Sequence, residues 1–277
     1  MTPRKLGCCT WTFGSAPLAE VAERAARAGL DGVELFGDVG GLDPVEAREA
    51  LGAQGLEVFS LTPADADIAH PDPAVRRGAL DYYERLADFA AAIGRPILSC
   101  HGLVRRVAPV TSREEEDALL VESVARICEA ARGRGLEVVF EILNRYETHQ
   151  VRTVAEGLAL LDAVGAGNLK LLPDAYHMNI EEADPAAALR AGGERIGLYH
   201  AADSNRGGVG EGHTDFRAQI GALDAIGYRG PIILETSAPG PDPFTPDKGR
   251  GFRDVVERQL ATSRERLAKL DAEAPAM

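Results

Sequence analysis

Eight short apolar runs rich in β-branched residues alternate along the chain with longer stretches whose apolar residues recur every three or four positions. The runs are GCCTWTF (7–13), GVELF (32–36), EVFSLTP (57–63), PILSCHG (96–102), EVVFEIL (137–143), LKLLPDAYHM (169–178), IGLYHAAD (196–203) and PIILETS (231–237). This alternation is typical of βα units that build a parallel sheet. Eight units in 277 residues match the size and order of a closed barrel. We therefore predict an α/β fold in which residues 1–277 form a single domain, a (β/α)8 TIM barrel.

The rival fold is an open, doubly wound α/β sheet. Such a sheet usually carries a glycine-rich phosphate turn after its first strand. Neither GxGxxG nor GxxxxGK[ST] follows any of the predicted strands. The chain also has no linker, low-complexity run or break in composition that would divide it into two domains. The sequence therefore favours the closed barrel.

The charge balance of the chain is acidic, with 30 Lys and Arg against 43 Asp and Glu and a formal net charge of −13. Nucleic-acid binding depends on Lys and Arg that neutralise phosphates, so we expect no nucleic-acid partner. We also expect no membrane association, because no run reaches the roughly 18 apolar residues of a membrane-spanning helix. Cys8, Cys9, Cys100 and Cys128 show no CxxC spacing and predict free thiols in a cytoplasmic protein.

Ionisable residues accumulate at the ends of the last four predicted strands. Strand five ends in Glu141, strand six in Asp174 and His177, strand seven in His200 and strand eight in Glu235. The carboxyl ends of barrel strands meet at one face of the barrel, which also carries the substrate-binding loops. We therefore predict that these side chains converge on one point of that face.

Three carboxylates in one cluster repel one another unless a cation neutralises them. Glu141, Asp174, His200 and Glu235 are therefore predicted to bind one divalent metal ion. An oxygen-rich set with a single imidazole suits Mn²⁺, with Mg²⁺ and Co²⁺ as alternatives, whereas structural zinc more often uses cysteine. For any one of these residues alone, a salt bridge or a strand-end cap is the alternative interpretation.

Four strings in the second half of the chain resemble the ketose 3-epimerases of the tagatose and allulose type, within the xylose isomerase-like barrel superfamily. They are EILNRYET (141–148), DAYHMNIEE (174–182), HAADSNR with GEGHTDF (200–216) and ILET (233–236). As a set they are specific, although each string alone is short. The resemblance implies a TIM barrel enzyme of carbohydrate metabolism in which the four predicted ligands hold the metal.

Three further residues of these strings keep the spacing of that family to the predicted ligands. Glu147 follows its ligand by six residues, His177 by three and Arg206 by six. The resemblance implies that all three contact the substrate. Pro173 and Ala175 flank the metal-binding aspartate where relatives usually have an apolar residue and a threonine, so the sequence leaves the identity of the sugar open.

The first half of the chain contributes weaker signals. Trp11, Glu34 and His101 lie on predicted strands one, two and four, in a register that points towards the mouth of the barrel. We expect all three to be walls of the pocket, with Trp11 and His101 in contact with the substrate.

The resemblance implies inversion of C3 of a ketose such as allulose, tagatose or ribulose. Inverting a carbon next to a carbonyl removes its proton on one face and returns a proton on the other, through an enediolate. Glu141 and Glu235 are the predicted acid and base for these two transfers. Arg206 lies on a glycine-rich stretch, which we expect to order over bound substrate.

Other interpretations keep the barrel and change the activity. The chain could be an aldose–ketose or inosose isomerase of the same superfamily, or the barrel subunit of a lyase that cleaves C-glycosides and needs a partner chain. A metal-dependent apurinic endonuclease would need more His ligands and a cationic groove, which six His and a charge of −13 disfavour. The predicted partner is a small sugar, and the predicted assembly is a homodimer or homotetramer.

Overall fold

The computed structural model describes residues 3–240, 242, 244–245 and 247–273. Residues 1–2 and 274–277 of the predicted domain lie outside the described residues, as do Pro241, Pro243 and Pro246 of the loop that follows the last predicted strand. Within the described part, eight parallel strands alternate with helices. The predicted fold, a single (β/α)8 TIM barrel, is confirmed.

The strands lie close to the predicted runs but are shorter. They are β1 (Leu6–Cys9), β2 (Gly32–Phe36), β3 (Glu57–Thr62), β4 (Ile97–Cys100), β5 (Val138–Ile142), β6 (Leu169–Pro173), β7 (Tyr199–Ala201) and β8 (Ile232–Leu234). The helices are α1 (Leu18–Arg27), α2 (Pro44–Gly52), α3 (Pro73–Ile93), α4 (Arg113–Gly133), α5 (Val154–Val164), α6 (Ala175–Glu181), α7 (Pro185–Gly192), α8 (Phe216–Ala225) and α9 (Phe252–Glu273).

The sheet runs in the order β6-β5-β4-β3-β2-β1-β8-β7. Its two edge strands meet through parallel bridges between Leu171 and Ile196 and between Asp174 and His200. The backbone N–H of Gly197 adds a hydrogen bond of 2.9 Å to the carbonyl of Leu171. These contacts close the sheet into a barrel.

Two predicted strands continue too far along the sequence. The first was expected to reach residue 13, but Thr10–Phe13 forms a 3-10 turn in which Thr12 Oγ1 donates to the carbonyl of Cys9 at 2.9 Å. The sixth was expected to include His177, but the strand stops at Pro173. Asp174 then caps α6 by accepting the N–H of Tyr176 at 2.7 Å. His177 is therefore a helical residue, one turn above the strand end.

Side-chain caps and prolines begin most of the helices. Asp43, Asp72 and Asp184 each accept backbone N–H groups of the turn that follows, and a proline stands in the first turn of all three helices. The side chains of Ser112 and Thr153 likewise each accept a backbone N–H in the first turn of α4 and α5. A capped helix start satisfies N–H groups that would otherwise lack a partner, so these residues define where each βα loop ends.

Two apolar clusters hold the barrel together. A small cluster of Cys9, Val139, Leu172, Leu198 and Ile233 fills the interior of the barrel, with exposures of 0 or 1%. A much larger cluster packs the outer face of the sheet against the surrounding helices. Alternate residues of a strand point to opposite faces, and β1, β5, β6 and β8 each supply both clusters. The four cysteines are free and buried, as expected from their spacing.

Among the described residues, none of the helices combines the length and the apolar character that crossing a bilayer requires.

Gly32 lies between β1 and β3, where the backbones are too close for a side chain. A methyl group at this position would collide with the carbonyl oxygen of Glu57 and lie 2.6 Å from Cε2 of Phe59. We expect Gly32→Ala to lower the free energy of unfolding by about 1–3 kcal/mol through overpacking. Gly221→Ala is the matched control, because Gly221 is exposed in α8 with open space around it, and it should raise stability by roughly 0.5–1 kcal/mol. Urea unfolding measures both; equal stabilities would contradict the expectation.

Candidate metal centre

The four predicted metal ligands lie together at the carboxyl ends of neighbouring strands. Glu141 is in β5, Asp174 directly follows β6, His200 is in β7 and Glu235 directly follows β8. Each offers one ligand atom, and these atoms all lie within 4.8 Å of one another. The four residues are at most 6% exposed. The closure between β6 and β7 brings the two halves of the set into one cluster.

The donor atoms of the cluster face each other at short range. Nδ1 of His200 lies 3.3 Å from Oε2 of Glu235 and 3.5 Å from Oε1 of Glu141. Oδ1 of Asp174 accepts the helix-capping N–H of Tyr176, but its buried Oδ2 has no hydrogen-bond partner. A buried carboxylate oxygen without a donor is costly. Oδ2 of Asp174 is therefore available to bind a metal ion, which would supply the missing partner.

The charges of the cluster are mutually unfavourable without a cation. Burial raises the pKa of Asp174 well above its ordinary value, and the charge of Glu235 raises it further. Burial also disfavours charge on Glu235, but Arg206 and His200 outweigh burial and lower the pKa of that carboxyl. Burial opposes a charge on His200 as well, yet Glu34 and the neighbouring carboxylates raise its pKa well above the usual range. Glu235 is thus held ionised while Asp174 resists ionisation.

These observations fit one divalent metal ion. The cluster combines three carboxylates with one imidazole, an oxygen-rich set that suits hard or borderline divalent cations. A divalent ion would neutralise the repulsion between the carboxylates and would give Oδ2 of Asp174 a partner. The structure therefore contains a buried cluster that is suited to one divalent metal.

Only part of the cluster faces the adjoining pocket. A cavity of about 560 Å³ opens at this end of the barrel, and Glu141 and Glu235 are among its walls, whereas Asp174 and His200 lie below it. All five predicted substrate contacts also line this cavity; they are Trp11, His101, Glu147, His177 and Arg206. The structure thus brings the predicted residues to one pocket, and their roles towards a substrate stay predictions.

His177 presents a neutral imidazole to the pocket. Burial lowers its pKa well below the ordinary value, and the charge of Arg206 lowers it further. Asn144 donates its backbone N–H to Nδ1 of His177 at 3.1 Å, and its side-chain amide approaches the same nitrogen at 2.8 Å. Because Nδ1 accepts, the proton lies on Nε2, which is 3.4 Å from Nη1 of Arg206. Asn144, which also donates to Glu147 at 3.2 Å, was missed as a site residue although it follows Glu141 in the string EILNR.

Arg206 reaches into the site from the loop after β7. Its Nη2 lies 2.9 Å from Oε2 of Glu235, and its guanidinium stands 4.6 Å above the ring of Tyr176. Burial opposes its charge, but Glu235, Asp174 and Glu147 raise its pKa above the ordinary value. Arg206 has a φ of 60°, a left-handed conformation that is uncommon for a residue with a side chain.

Asp203 shapes the loop that carries Arg206. Its carboxylate accepts the backbone N–H groups of Ser204, Gly210 and Thr214 at 2.7, 2.7 and 3.0 Å. The carbonyl of Asp203 accepts the N–H of Arg206 at 2.7 Å. The sequence showed this stretch only as a glycine-rich loop. The sequence feature that could have identified Asp203 is its place as an acidic residue at the end of the predicted strand 196–203, which is the feature that identified the predicted ligands.

Glu34 does not lie where it was expected. It was predicted to form a wall of the pocket, but it is fully buried and is not among the residues that line the cavity. Its Oε2 instead lies 3.2 Å from Nε2 of His200. Glu34 does point into the barrel, and β1 and β2 pair in regular register at this residue, but its side chain ends at His200 and does not reach the cavity. The predicted position was wrong because the alternation of a strand gives the face on which a residue lies and not its depth in the barrel.

Several known proteins resemble this chain in sequence and in fold. Residues 22–266 match the family described as xylose isomerase-like TIM barrel. The chain is 35% identical to an L-ribulose 3-epimerase of Methylomonas sp. (strain DH-1), over 76% of each chain. It is 32% identical to a ketose 3-epimerase of Arthrobacter globiformis, over 84% of this chain and 83% of the relative. A crystal structure of D-allulose 3-epimerase from Methylomonas sp. superposes with a TM-score of 0.86 at 29% identity, covering 97% of this chain and 99% of that one.

Asp174→Asn separates the stability of the cluster from its capacity to bind metal. Asparagine keeps the oxygen that caps α6 and removes a buried carboxyl that must either repel Glu235 as an anion or take up a proton to avoid that repulsion. We expect the metal-free variant to melt at a higher temperature than the metal-free wild type, by at least the ~2 °C that about 1 kcal/mol gives in a domain of this size.

Added Mn²⁺ should reverse that order, because it stabilises only a chain that binds it. Thermal melts with and without Mn²⁺ measure both effects. A metal-free variant that is less stable than wild type would show that repulsion at Asp174 does not dominate the cluster. A variant that gains as much stability from Mn²⁺ as wild type would show that Asp174 is not needed to bind the ion.

Proposed function

The chain belongs to the xylose isomerase-like TIM barrel family, and from this membership and its pocket we propose that it is a divalent-metal-dependent sugar epimerase that inverts C3 of a ketose. The relatives named above are ketose, ribulose and allulose 3-epimerases. The observation that carries the proposal is the division of the cluster. Glu141 and Glu235 line the pocket, whereas Asp174 and His200 belong to the cluster but not to the pocket lining.

Glu141, Asp174, His200 and Glu235 are the residues that would hold the ion, for which we propose Mn²⁺, with Mg²⁺ or Co²⁺ as alternatives. When bound, a divalent metal supplies a Lewis acid that lowers the energy of negative charge developing on the carbonyl oxygen of the substrate.

Two carboxylates of the chain can then move the proton at C3. Glu141 and Glu235 enter the pocket from β5 and β8, which are separated by two strands, so they approach it from different sides. We assign one to removing the proton and the other to returning a proton on the opposite face of the enediolate. Trp11 Nε1 donates to Oε1 of Glu235 at 3.2 Å, and Arg206 holds its Oε2. These two donors fix the orientation of Glu235.

Three polar residues of the pocket are placed to orient the sugar. His177 offers an Nε2–H donor, Arg206 offers its remaining N–H groups, and Glu147 accepts hydroxyl protons. Burial raises the pKa of Glu147, and the charge of Arg206 opposes this shift. His101 and Trp11 border the same cavity, and we assign them contacts with the rest of the sugar chain.

The relatives favour epimerisation over the alternatives. None of the relatives named above is described as an aldose–ketose or inosose isomerase or as a subunit of a lyase. We further propose that residues 1–277 form one domain, which a family match across 22–266 supports. Cytoplasmic location and assembly as a homodimer or homotetramer stay predictions.

Solvent deuterium tests the reaction. If Glu141 and Glu235 exchange protons with the substrate, allulose, tagatose or ribulose incubated with enzyme and Mn²⁺ in heavy water should gain deuterium at C3, read by NMR. Glu141→Gln and Glu235→Gln should each reduce kcat by roughly 10²–10⁴-fold, because each lacks one proton-transferring group.

Glu147→Gln is the matched control, since it removes a carboxylate from the same pocket but not from the cluster. It should raise KM and still give deuterated product. Product without deuterium, deuterium at another carbon only, or an active Glu235→Gln variant would refute this mechanism.

Arg206→Ala should raise KM and lower kcat together, because Arg206 is placed to contact the substrate and also fixes Glu235. We expect kcat/KM to fall by about 10²–10³-fold, the effect of losing a preorganised charged donor. Steady-state kinetics on the preferred ketose measure this loss.

Arg95→Ala controls for backbone strain, because Arg95 is exposed, has a φ of 62° and does not line the pocket. It should change kcat/KM by no more than about twofold, as surface substitutions usually do. Equal losses in the two variants would remove Arg206 from the site.

A further inference from the structure

Glu34 is a fully buried carboxylate that the proposed reaction does not use. It lies in β2, on the opposite side of His200 from the ligand cluster, and has an exposure of 0%. Burying a carboxylate is unfavourable unless its oxygens are hydrogen-bonded. The contacts of Glu34 therefore indicate what this position requires.

Both oxygens of Glu34 act as acceptors. Ser60 Oγ donates to Oε2 and Thr62 Oγ1 donates to Oε1, each at 2.6 Å. These two donors come from β3, the strand next to β2. Short hydrogen bonds from two hydroxyls are typical of an ionised carboxylate. Glu34 is thus held as a fixed negative charge in the barrel wall.

The other contacts of Glu34 are with the Cys9 thiol, which donates to Oε1 at 3.4 Å, and with the imidazole of His200. Nε2 of His200 lies 3.2 Å from Oε2 of Glu34, while Nδ1 on the other side of the ring faces Glu141 and Glu235 at 3.5 and 3.3 Å. An ionised carboxylate can only accept, so Nε2 must carry a proton. A ring that binds a metal must be neutral, and its lone pair is then on Nδ1, which points into the cluster.

We propose that Glu34 is a positioning residue that fixes the Nε2–H tautomer and the ring orientation of His200, so that Nδ1 is the atom offered to the metal. The inference rests on the metal site of the proposed function. Hydrogen bonding of a ligating imidazole to a carboxylate orients the ring and makes it a stronger ligand, and losing such a partner typically weakens metal binding by about 10–100-fold.

A second metal site on the other face of His200 is the competing explanation. Cys9, Glu34 and His200 also offer ligand atoms within 4.8 Å of one another. The Cys9 thiol already donates to Oε1 of Glu34 at 3.4 Å, and two hydroxyls donate to the oxygens of the same carboxylate at 2.6 Å. The geometry therefore favours a hydrogen bond over an ion at this place.

Metal affinity of the purified chain tests the proposal without relying on turnover. Wild type should bind one Mn²⁺ per chain in a competition titration against a chelator. Glu34→Gln keeps an acceptor for Nε2 but loses the charge, and it should weaken binding by about 10-fold, whereas Glu34→Ala should weaken it by about 100-fold. The partial rescue by glutamine distinguishes positioning from general damage.

Glu116→Gln is the matched control for loss of a buried charge. Glu116 is also 0% exposed, but it pairs with Arg106 and lies 3.0 Å from Nε2 of His149, away from the ligand cluster. It should lower the melting temperature and leave the affinity for Mn²⁺ within about twofold, because additive effects are expected for distant sites.

The tautomer provides a spectroscopic signature. Protein with ¹⁵N-labelled histidine and bound Zn²⁺, which is diamagnetic, should show a protonated Nε2 for His200 in wild type and in Glu34→Gln, and lose that single state in Glu34→Ala. Unchanged Mn²⁺ affinity in both Glu34 variants, equal weakening in Glu116→Gln, or a deprotonated Nε2 in wild type overturns the role of Glu34. Two ions per wild-type chain overturns it in favour of a second site, and wild type that binds no Mn²⁺ overturns the metal site as well.

Discussion

The backbone bridge between Asp174 and His200 lies at the edge where the barrel closes, and the same closure brings the four predicted metal ligands together. The sheet is continuous from β6 through β1 to β7, and only this edge must be joined for the strands to form a ring. Glu141 belongs to one side of the closure and Glu235 to the other. If the edges separated, the ligands would fall into two pairs. The closure holds together groups that repel each other, so the stability of the ring and the charge of the site are coupled.

The chain compensates for this charge with donors from several loops. Arg206 neutralises Glu235, and its own position depends on the hydrogen bonds that Asp203 makes within the loop after β7. Glu34 receives two hydroxyls from β3 and contacts the far side of His200. Glu34 thus contacts the cluster from inside the barrel, and Arg206 contacts it from the side of the pocket. Such surrounding contacts fix ligand orientation, which is what a metal site needs to bind its ion in a defined geometry.

The sequence predicted the site more accurately than the limits of its elements. Strand-end carboxylates could be identified because apolar runs rarely terminate in charge, and the four predicted ligands do lie together. His177 was placed at a strand end, but the capping side chain of Asp174 begins a helix there. Glu34 was assigned to the pocket, but its side chain is buried against His200. Both errors concern the exact place of a side chain, which depends on hydrogen bonds to other parts of the chain that periodicity does not show.

The sequence by itself determined the order of strands and helices, the acidic residues predicted as ligands and the spacing of the family strings. All three are properties of residues that follow one another along the chain. Hydrophobic periodicity repeats along the chain, so it is sufficient to predict eight βα units. Only the tertiary structure decided that Glu141 and Glu235 face the pocket while Asp174 and His200 lie beneath it, and that Glu34 and Asp203 support the site. These facts arise from contacts between residues far apart in sequence, such as Glu34 and His200, whose distance is set by how the sheet twists and closes.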